Sequence, residues 1–408
     1  MSSYQSRSRE ADPSTDSSAS LHEVVETLAP LEKRAGSPGE REAAEWLCDR
    51  LNASGARAVV EQVSFRDGYA RQLLPLGAAG AVAGALAFSG RARLVATVVG
   101  GLAAAAIADD ADNRRRIWRR LITRPKPTTN VIAEAGDLDA ERTLVVLAHH
   151  DAAPTGRVFD QSFQRLLAQR FPAVIERTNA SLPLWWPIIG APAAVALGAA
   201  TGRRGLIAAG VVASLATTAL GADIARSPIV PGANDNLSGV AVLVGLAQRL
   251  EAEPIEGLRV MLVSCGAEEV LQGGIYPFVE THLRQLDPTK TWVLNLDTVG
   301  SPRLVLLEGE GILGIEDYTD PPFRDHIASS AQAAGIPLVR GQRARSSTDS
   351  VIPSRAGYPT ATVTSFEPDT KLLSNYHLPS DTPENLDYDT VAEALTLTET
   401  LARRLATA

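Results

Sequence analysis

Two adjacent carboxylates, Glu268 and Glu269, follow an apolar run at residues 258–263 and stand where that run gives way to small residues. Such a run predicts a buried strand, so both side chains are expected at the carboxyl end of a strand, where open α/β sheets build their sites. Neighbouring side chains point in different directions, so one Glu can ligate a metal while the other moves a proton of a metal-activated water. The alternative is a solvated acidic helix start, since Glu is favoured in a first helical turn.

A histidine and an aspartate stand two positions apart at the end of another apolar run, where residues 144–147 lead into His149 and Asp151. Alternate residues of a strand point to the same face, so the two side chains can act together. One imidazole nitrogen can face a metal while the carboxylate holds the other nitrogen in the required tautomer. The simpler interpretation is a capping or core histidine, and His150 is the weaker candidate of the pair.

Two further acids and a second histidine occur at positions suited to a shared site. Asp235 precedes the helix predicted at residues 240–250, where it can bridge two cations or simply cap the helix. Asp297 ends another apolar run, and its burial without a partner would be costly, which favours a ligand. His377 stands in a loop before the last helix, predicted at residues 390–405.

Taken in chain order, these residues form a set of two imidazoles and three carboxylates: His149, Asp235, Glu269, Asp297 and His377. One shared carboxylate and two further ligands per ion suit a pair of cations about 3.5 to 4 Å apart. Because two of the ligands are histidines, zinc is the first choice. The sequence therefore predicts a site with two Zn²⁺ ions.

The elements that must position these residues predict an α/β fold. Strand patterns alternate with amphipathic helices, the first at residues 40–51, with Ser37 as the predicted N-terminal cap and Glu40 three positions later. We expect a mixed, mostly parallel sheet flanked by helices on both faces. The 45% hydrophobic content fits a single domain, predicted at residues 19–408. Residues 1–18 are predicted to be a disordered, Ser-rich tail, and they lack the apolar core of a secretory signal.

Two insertions interrupt the predicted domain, at residues 73–108 and 182–222. Each contains two apolar segments rich in Gly and Ala, joined by a short basic turn, which predicts a helical hydrophobic hairpin. The segments are at or below the roughly 20 residues that a helix needs to cross a bilayer. Since they are hydrophobic on every face, they favour packed membrane helices; the alternative is a buried hairpin in a soluble protein.

Charge predicts an orientation and disfavours one class of partner. Arginines are concentrated in the flanks of the hairpins, above all at residues 114–124, and are fewer at the hairpin tips. If all four segments span the bilayer, the positive-inside rule predicts a cytoplasmic globular part, and we expect a multi-pass protein of the inner or cell membrane. The net charge of -8 argues against a nucleic-acid partner, which would require a basic face.

The order of these motifs resembles that of the co-catalytic zinc exopeptidases, a family that includes bacterial leucyl aminopeptidases and glutamate carboxypeptidase. The matching segments are A-H-H-D at 148–151, P-G-A-N-D-N-L-S-G at 231–239, the pair Glu268–Glu269, N-L-D at 295–297 and Y-H-L-P-S-D-T at 376–382. Residues 34–44 are also similar to the family's N-terminal helix. The resemblance covers roughly residues 20–70 and 128–408, and the hairpins lie outside it.

This resemblance implies a role for each residue of the set. Two zinc ions are implied, with Asp235 as the bridge and the remaining ligands His149, Glu269, Asp297 and His377. The resemblance also implies that Glu268 is the general base and that Asp151 orients His149. The implied activity is hydrolysis of a peptide substrate by a metal-activated water, with Glu268 taking the proton of the water and returning it to the leaving amine.

The hairpin at residues 182–222 departs from the family, in which a short loop usually joins the His-x-Asp motif to the bridging Asp. We expect an aminopeptidase, which would dock a free amino terminus. A metallocarboxypeptidase is the alternative, because Arg340, Arg343 and Arg345 could hold a terminal carboxylate or could be solvated loop residues. Glutaminyl cyclisation, which a related branch performs at a single zinc, is disfavoured by the two histidines. An inactive membrane scaffold is the non-enzyme alternative, and the oligomeric state stays open.

Overall fold

The computed structural model describes residues 13–90 and 92–407, with side chains from residue 19 onward. Its sheet is built from nine strands: β1 Arg57–Arg66, β2 Pro125–Gly136, β3 Thr143–His149, β4 Arg259–Cys265, β5 Thr291–Leu296, β6 Arg303–Glu310, β7 Glu316–Asp317, β8 Val339–Ala344 and β9 Thr360–Phe366. The order across the sheet is β1-β2-β4-β3-β5-β9-β6-β7, with β8 also paired to β6. Strands β4, β3, β5 and β9 are parallel, whereas β1, β2, β6 and β7 pair antiparallel with their neighbours in this order. The predicted mixed α/β fold is confirmed.

Helices surround this sheet and extend from one end of it. Their bounds are α1 Pro13–Leu28, α2 Pro38–Ala53, α3 Leu74–Phe88, α4 Arg93–Ala111, α5 Ile117–Ile122, α6 Ser162–Arg170, α7 Pro172–Arg177, α8 Trp185–Thr201, α9 Arg204–Ile224, α10 Ser238–Ala252, α11 Ile275–Thr281, α12 Pro321–Ala333, α13 Val351–Arg355 and α14 Tyr388–Thr407. The predicted tail at residues 1–18 lies mostly outside the described residues. Helix α1 begins at Pro13, so the predicted boundary between tail and domain falls inside this helix.

The parallel strands are buried because helices cover both faces of the sheet. In β3, Leu144 and Val146 pack into the large core formed with α1, α2, α10, α12 and α14, whereas Val145 and Leu147 pack into the core under α11 and α13. A strand that is buried on both faces has a continuous run of apolar residues in its sequence. His149 at the end of this strand is therefore held at the edge of a rigid layer.

Helix α2 begins at the predicted cap, but its glutamate has a second role. The hydroxyl of Ser37 accepts the backbone N–H of Glu40 at 3.1 Å. The carboxylate of Glu40 accepts the N–H of Gly36 at 2.9 Å and the N–H of Ala267 at 3.0 Å. Glu40 therefore fastens the start of α2 to the residue that precedes Glu268.

The two predicted hairpins form one four-helix bundle from α3, α4, α8 and α9. Helix α4 contacts α3 and α8, and α9 contacts α3 and α8. All four helices join the domain at the same end of the bundle, and Arg93 links the two hairpins at the other end by donating to the carbonyl oxygen of Ala199 at 2.9 Å. With 15 to 21 residues, the helices are roughly 22 to 32 Å long.

Glycines allow the bundle helices to approach closely. A methyl group added at Gly210 of α9 would lie 2.6 Å from the backbone nitrogen of Val195 and 2.9 Å from the carbonyl oxygen of Ala191, both in α8. A methyl group at Gly100 of α4 would lie 2.7 Å from the carbonyl oxygen of Pro192. Backbone contact through small residues is typical of helices packed in membranes.

The second hairpin leaves and re-enters the domain beside the predicted site. Pro154, five residues after His149, forms an antiparallel bridge with Ile229, six residues before Asp235. On either side of this bridge, Val230 donates to Ala153 at 2.9 Å, and Thr155 donates to Pro228 at 3.0 Å. The insertion is thus closed at its base, so the loops that carry His149 and Asp235 are held together as a short connection would hold them.

Candidate metal centre

Asp235 lies between the two predicted histidine ligands. Its Oδ1 is 3.3 Å from Nε2 of His149, and its Oδ2 is 3.2 Å from Nε2 of His377. Burial raises the pKa of Asp235, but the two histidines lower it further, so that the net pKa lies below its ordinary value. Asp235 is not a helix cap, since its backbone is extended and its side chain faces the histidines.

The two adjacent glutamates face different histidines. Oε2 of Glu269 is 3.2 Å from Nε2 of His377, and Oε2 of Glu268 is 3.9 Å from Nε2 of His149. Both glutamates lie in a tight turn directly after β4, where Ala267 and Leu271 have positive φ angles. This turn lets consecutive carboxylates point to opposite sides of Asp235.

Asp151 holds both the histidine and the glutamate pair. Its carboxylate accepts the backbone N–H of Glu268 at 3.0 Å and of Glu269 at 3.1 Å, and its Oδ1 is 3.5 Å from Nδ1 of His149. The carbonyl oxygen of Asp151 is also 3.3 Å from that nitrogen. Either contact fixes the tautomer that leaves Nε2 of His149 free to face Asp235.

His377 and Asp297 complete the predicted set in different ways. The ring of His377 is enclosed by Tyr376, stacked at 3.9 Å, and by Phe159, edge-on at 4.4 Å. Asp297 follows β5 and accepts the hydroxyl of Thr298 at 2.9 Å. Burial raises the pKa of Asp297 and the nearby His149 opposes that rise. Within the described residues, Asp297 has no ion pair with either histidine.

The donor set fits a pair of zinc ions. Zinc ligands in a tetrahedral shell with bonds of about 2.0 to 2.1 Å stand about 3.3 to 3.4 Å apart. The separations of 3.2 and 3.3 Å around Asp235 agree with this spacing. In the described chain, Oε1 of Glu269 is buried without a hydrogen-bond partner, and Nε2 of His377 faces carboxylate oxygens of Asp235 and Glu269 at 3.2 Å without a well-aligned hydrogen bond. Buried polar atoms without partners are costly, and metal coordination would satisfy them.

The charge of the centre leads to the same conclusion. The ion-pair partners of Asp235, Glu268 and Glu269 within the described residues are histidines. Burial alone lowers the pKa of His377, but Glu269 and Asp235 raise it to about 10. The carboxylates therefore favour positive charge at the imidazoles, and bound cations would supply that charge in place of protons.

A second layer of buried charged residues supports the centre, and their function could not be read from the sequence. Asp381 accepts the backbone N–H groups of Asn234 at 2.7 Å and Asp235 at 3.2 Å. Lys33 donates to the carbonyl oxygens of Leu28 and of Pro231, each at 2.9 Å. Burial lowers the pKa of Lys33 to about 8. Asp381 belongs to the quoted motif at 376–382, whereas no pattern marked Lys33.

Two more buried carboxylates, Asp349 and Glu310, flank the centre. Burial raises the pKa of Asp349 to about 7, and neither of its oxygens has a hydrogen-bond partner in the described chain. Burial raises the pKa of Glu310 to about 8, although Thr348 donates to it through its N–H and its hydroxyl. The only sequence signal for Asp349 was its position after the run of arginines.

The remaining sequence candidates lie away from the centre. His150 points to the other side of β3, where its Nδ1 is 2.9 Å from Oγ of Ser264. Arg340 pairs with Glu308 and Asp325, Arg343 pairs with Asp317, and Arg345 lies over the ring of Trp186 at 5.0 Å. These arginines are thus engaged with other side chains.

A cavity of about 170 Å³ reaches the centre at Glu269. Its walls include Tyr69 and Ala70, which precede α3, and Ile224 and Ala225 at the end of α9. The base of the bundle therefore forms part of the approach to the centre.

Comparison with known proteins finds a family match over part of the chain and a shared fold over nearly all of it. Residues 216–401 match the model of Peptidase family M28, a range that includes Asp235, Glu268, Glu269, Asp297 and His377 but not His149. No curated protein matches the sequence.

Many solved structures have a similar fold, and the three that follow are each 13% or 14% identical to this chain in sequence. A Bacteroides thetaiotaomicron glutaminyl cyclase bound to N-acetylhistamine is 14% identical, with a TM-score of 0.57 and coverage of 95% of this chain and 97% of that chain. A leucine aminopeptidase precursor from the same organism is 13% identical, with a TM-score of 0.56 and coverage of 95% of this chain and 96% of that chain. BSAP, a zinc aminopeptidase from Bacillus subtilis, is 14% identical, with a TM-score of 0.55 and coverage of 98% and 96%.

These matches are consistent with the predicted resemblance to the co-catalytic zinc exopeptidases. The match of residues 216–401 includes Asp235 and the glutamate pair, and the shared fold extends over the rest of the chain. Residues 216–401 thus match Peptidase family M28, and the chain shares its fold with the zinc aminopeptidase BSAP.

Proposed function

We propose that the protein is a zinc-dependent exopeptidase that acts as an aminopeptidase, with two Zn²⁺ ions held by His149, Asp235, Glu269, Asp297 and His377. The observation that carries the proposal is the Asp235 carboxylate, whose two oxygens face two different histidines at 3.3 and 3.2 Å. A carboxylate shared in this way suits two ions rather than one. When bound, zinc supplies a Lewis acid for the scissile carbonyl and lowers the pKa of water.

Glu268 is the proposed general base. Its Oε2 lies on the His149 side of the centre, while its Oε1 accepts a hydrogen bond from Gln272 at 2.9 Å. Burial raises the pKa of Glu268 well above its ordinary value. A carboxyl group with a raised pKa can take a proton from the attacking water and deliver it to the leaving amine.

The surroundings favour an aminopeptidase over the two enzymatic alternatives. A carboxypeptidase needs a free arginine for the terminal carboxylate, and Arg340 and Arg343 are paired with acids. The cavity at Glu269 also carries Arg34 and Arg71 on its rim, which leaves carboxylate binding as an outcome to be tested. Glutaminyl cyclisation at one zinc would not require both His149 and His377 to face Asp235.

The function is tested by hydrolysis of a panel of aminoacyl, carboxyl-terminal and amino-terminal glutaminyl peptides with and without a chelator. Release of amino-terminal residues, lost on chelation and reduced about 10²- to 10⁴-fold by Glu268→Gln, is the expected result. The matched control is Glu141→Gln, at a glutamate that is 80% exposed and pairs with Lys290. Release of carboxyl-terminal residues or cyclisation would replace the aminopeptidase assignment, and no turnover with two bound zinc ions would leave the scaffold alternative.

We further propose that the four-helix bundle spans a membrane. Helices α4 and α9 are long and apolar enough to do so, and only 33% and 17% of their apolar windows are buried. The outward side chains Leu94, Leu102 and Val212 are 78%, 67% and 67% exposed. A bundle whose outer surface is apolar suits a lipid environment, since such a surface would be a liability in water.

Short helices beside the bundle support a position at the membrane surface. Helix α5 follows α4 and exposes Ile117 and Leu121 next to Arg115 and Arg120. Helices α6 and α7 precede α8 and expose Phe163, Leu166 and Val174, with Arg170 and Arg177 in their last turns. Apolar side chains next to arginines fit the boundary between acyl chains and anionic headgroups. The globular part is then cytoplasmic by the positive-inside rule.

Site-directed labelling tests this topology. Ser89→Cys and Thr201→Cys place an exposed thiol at each hairpin tip, and Thr289→Cys places one on the domain. An impermeant maleimide added to intact cells should label the two tip variants and leave the domain variant unlabelled. Labelling of none of the three in intact cells and of all three in inverted vesicles would show that the hairpins do not cross the bilayer.

A further inference from the structure

We propose that Asn113 and Gln272 are positioning residues that hold Glu268 from the end of the first hairpin; the proposal rests on the assignment of Glu268 as the general base. Nε2 of Gln272 donates to Oε1 of Glu268 at 2.9 Å and to the carbonyl oxygen of Ser347 at 2.8 Å. Asn113 follows the end of α4, and its Nδ2 donates to Oε1 of Gln272. A chain of hydrogen bonds therefore runs from the hairpin to the base.

Arg116 sets the direction of this chain. A guanidinium group can only donate, and that of Arg116 donates to Oδ1 of Asn113 and to the carbonyl oxygen of Leu271. Asn113 must then turn its Nδ2 toward Gln272, and Gln272 must accept through Oε1 and present Nε2 to Glu268. The carbonyl oxygen of Ser347 can only accept, so it holds the amide of Gln272 in the same orientation. A fixed donor at one end and a fixed acceptor at the other thus orient the two amides, and the chain ends in a donor aimed at a carboxylate.

The connection between α4 and α5 is fixed to the same turn by buried contacts. Arg119 forms a two-point ion pair with Asp110 at 2.8 and 3.0 Å and donates to the carbonyl oxygen of Val270 at 3.0 Å. The hydroxyl of Tyr276 donates to the carbonyl oxygen of Asn113 at 3.0 Å. These contacts hold the end of the hairpin against both sides of the turn that follows the glutamate pair.

The hydrogen bond from Gln272 decides which oxygen of Glu268 is available. With Oε1 engaged, the remaining oxygen is Oε2, which lies 3.9 Å from Nε2 of His149. A base held in one rotation keeps its proton-accepting atom aligned with the reacting water. Loss of this hold should therefore lower kcat and leave KM unchanged, because the groups that bind substrate are untouched.

The test compares Asn113→Asp with Gln272→Met in the full-length protein. Asn113→Asp keeps the side-chain shape and adds an ion pair with Arg116, so a purely structural role predicts wild-type activity. Under the proposal, Asp cannot donate and sets a carboxylate oxygen against Oε1 of Gln272, so Gln272 is displaced from Glu268 and kcat falls about 10- to 100-fold. Gln272→Met should lower kcat by a similar factor. The double variant should have the kcat of the less active single variant, because both changes break the same chain of hydrogen bonds.

Controls separate positioning of the base from damage to the centre. Gln285→Met, at an exposed glutamine four residues beyond the end of α11 that donates to the carbonyl oxygen of Thr281, should leave kcat unchanged. Zinc content is measured in every variant. Loss of zinc along with kcat would mean that the chain supports Glu269 instead of Glu268, and unchanged kcat in both variants would also overturn the proposal.

A measurement without turnover distinguishes this proposal from the proposed function. The side-chain amide signals of Gln272, identified by their absence in Gln272→Met, should shift in the ¹⁵N–¹H spectrum when Asn113→Asp or Glu268→Gln is introduced. If the wild type hydrolysed no peptide while these signals shifted, the peptidase assignment would fail and the chain of hydrogen bonds would stand. Signals that stay in place in both variants would overturn the positioning proposal, whatever the activity.

Discussion

Oδ2 of Asp151 accepts the backbone N–H of Glu269 at 3.1 Å, although the two residues are 118 positions apart in the chain. Oδ1 of the same carboxylate accepts the N–H of Glu268 at 3.0 Å and lies 3.5 Å from Nδ1 of His149. One side chain therefore fixes the tautomer of a predicted ligand and the turn that carries the glutamate pair. The entire second hairpin is inserted between the two parts of the site that this contact joins.

Asp151→Asn should weaken zinc binding about 10- to 100-fold, the usual effect of losing a residue that supports metal ligands. Asn offers one acceptor oxygen, so its NH₂ group must face either a backbone N–H or the ring of His149. The affinity is measured by competition with a chromogenic chelator. Asp137→Asn is the matched control, because Asp137 also accepts two backbone N–H groups, from Asp139 and Gly257, on the far side of the domain. Equal losses in the two variants would contradict the role given to Asp151.

Asp235→Ala should remove both zinc ions or leave them too weakly bound to survive dialysis. The carboxylate faces His149 with one oxygen and His377 with the other, so its loss takes one ligand from each ion. His377→Ala should instead leave one ion bound, because only one side of the centre is affected. Metal content by mass spectrometry after dialysis distinguishes the two results. A single ion retained by Asp235→Ala would show that Asp235 does not bridge.

The sequence singled out His149, Asp235, Glu269 and Asp297 because each follows an apolar run or precedes a helix, where local pattern and chemistry coincide, whereas His377 stands in a loop and was singled out by its residue type and motif. It also predicted the mixed sheet, since the parallel strands are continuous apolar runs. It could not predict Lys33 or Glu40 as supports, because their partners, such as Pro231 and Ala267, are brought close only by tertiary packing. The hydrogen bond between Gln272 and the end of α4 was invisible for the same reason.

Gly210→Leu should destabilise the bundle, whereas Gly101→Leu should not. A side chain at Gly210 meets the backbone of α8 within 2.6 Å, and nothing lies within 4 Å of the corresponding position at Gly101. Overpacking costs about 1 to 3 kcal/mol, and replacing Gly by Leu in a helix gains up to about 1 kcal/mol where space allows. Thermal unfolding in detergent should therefore show a lower midpoint for Gly210→Leu and an equal or higher one for Gly101→Leu. Equal midpoints would contradict the close packing of α8 and α9.

Glu310→Gln should stabilise the metal-free protein increasingly as the pH rises. Burial raises the pKa of Glu310 from 4.5 to about 8, so between these values the unfolded chain ionises while the folded protein keeps the proton. The contribution of this group to the free energy of unfolding is complete below about pH 4.5 and is lost as the pH rises through 8. Each pKa unit corresponds to about 1.4 kcal/mol, so the effect from pH 5 to 8 is on the order of a few kcal/mol.

Glutamine at this position keeps the acceptor for Thr348 and does not titrate, so the advantage of Glu310→Gln over wild type should grow from pH 5 to pH 8. Glu308→Gln is the control of opposite sign. Burial raises the pKa of Glu308, but Arg340 and Arg324 lower it further, to below its ordinary value. Ionised Glu308 therefore stabilises the folded protein at pH values above its ordinary pKa, and this stabilisation is lost as the pH falls through the lowered pKa. Glu308→Gln should consequently reduce the free energy of unfolding most near neutral pH. Thermal unfolding midpoints, measured with a chelator present from pH 4 to 9, separate the two cases. If the plots of midpoint against pH for wild type and Glu310→Gln were parallel, Glu310 would ionise normally in the folded protein.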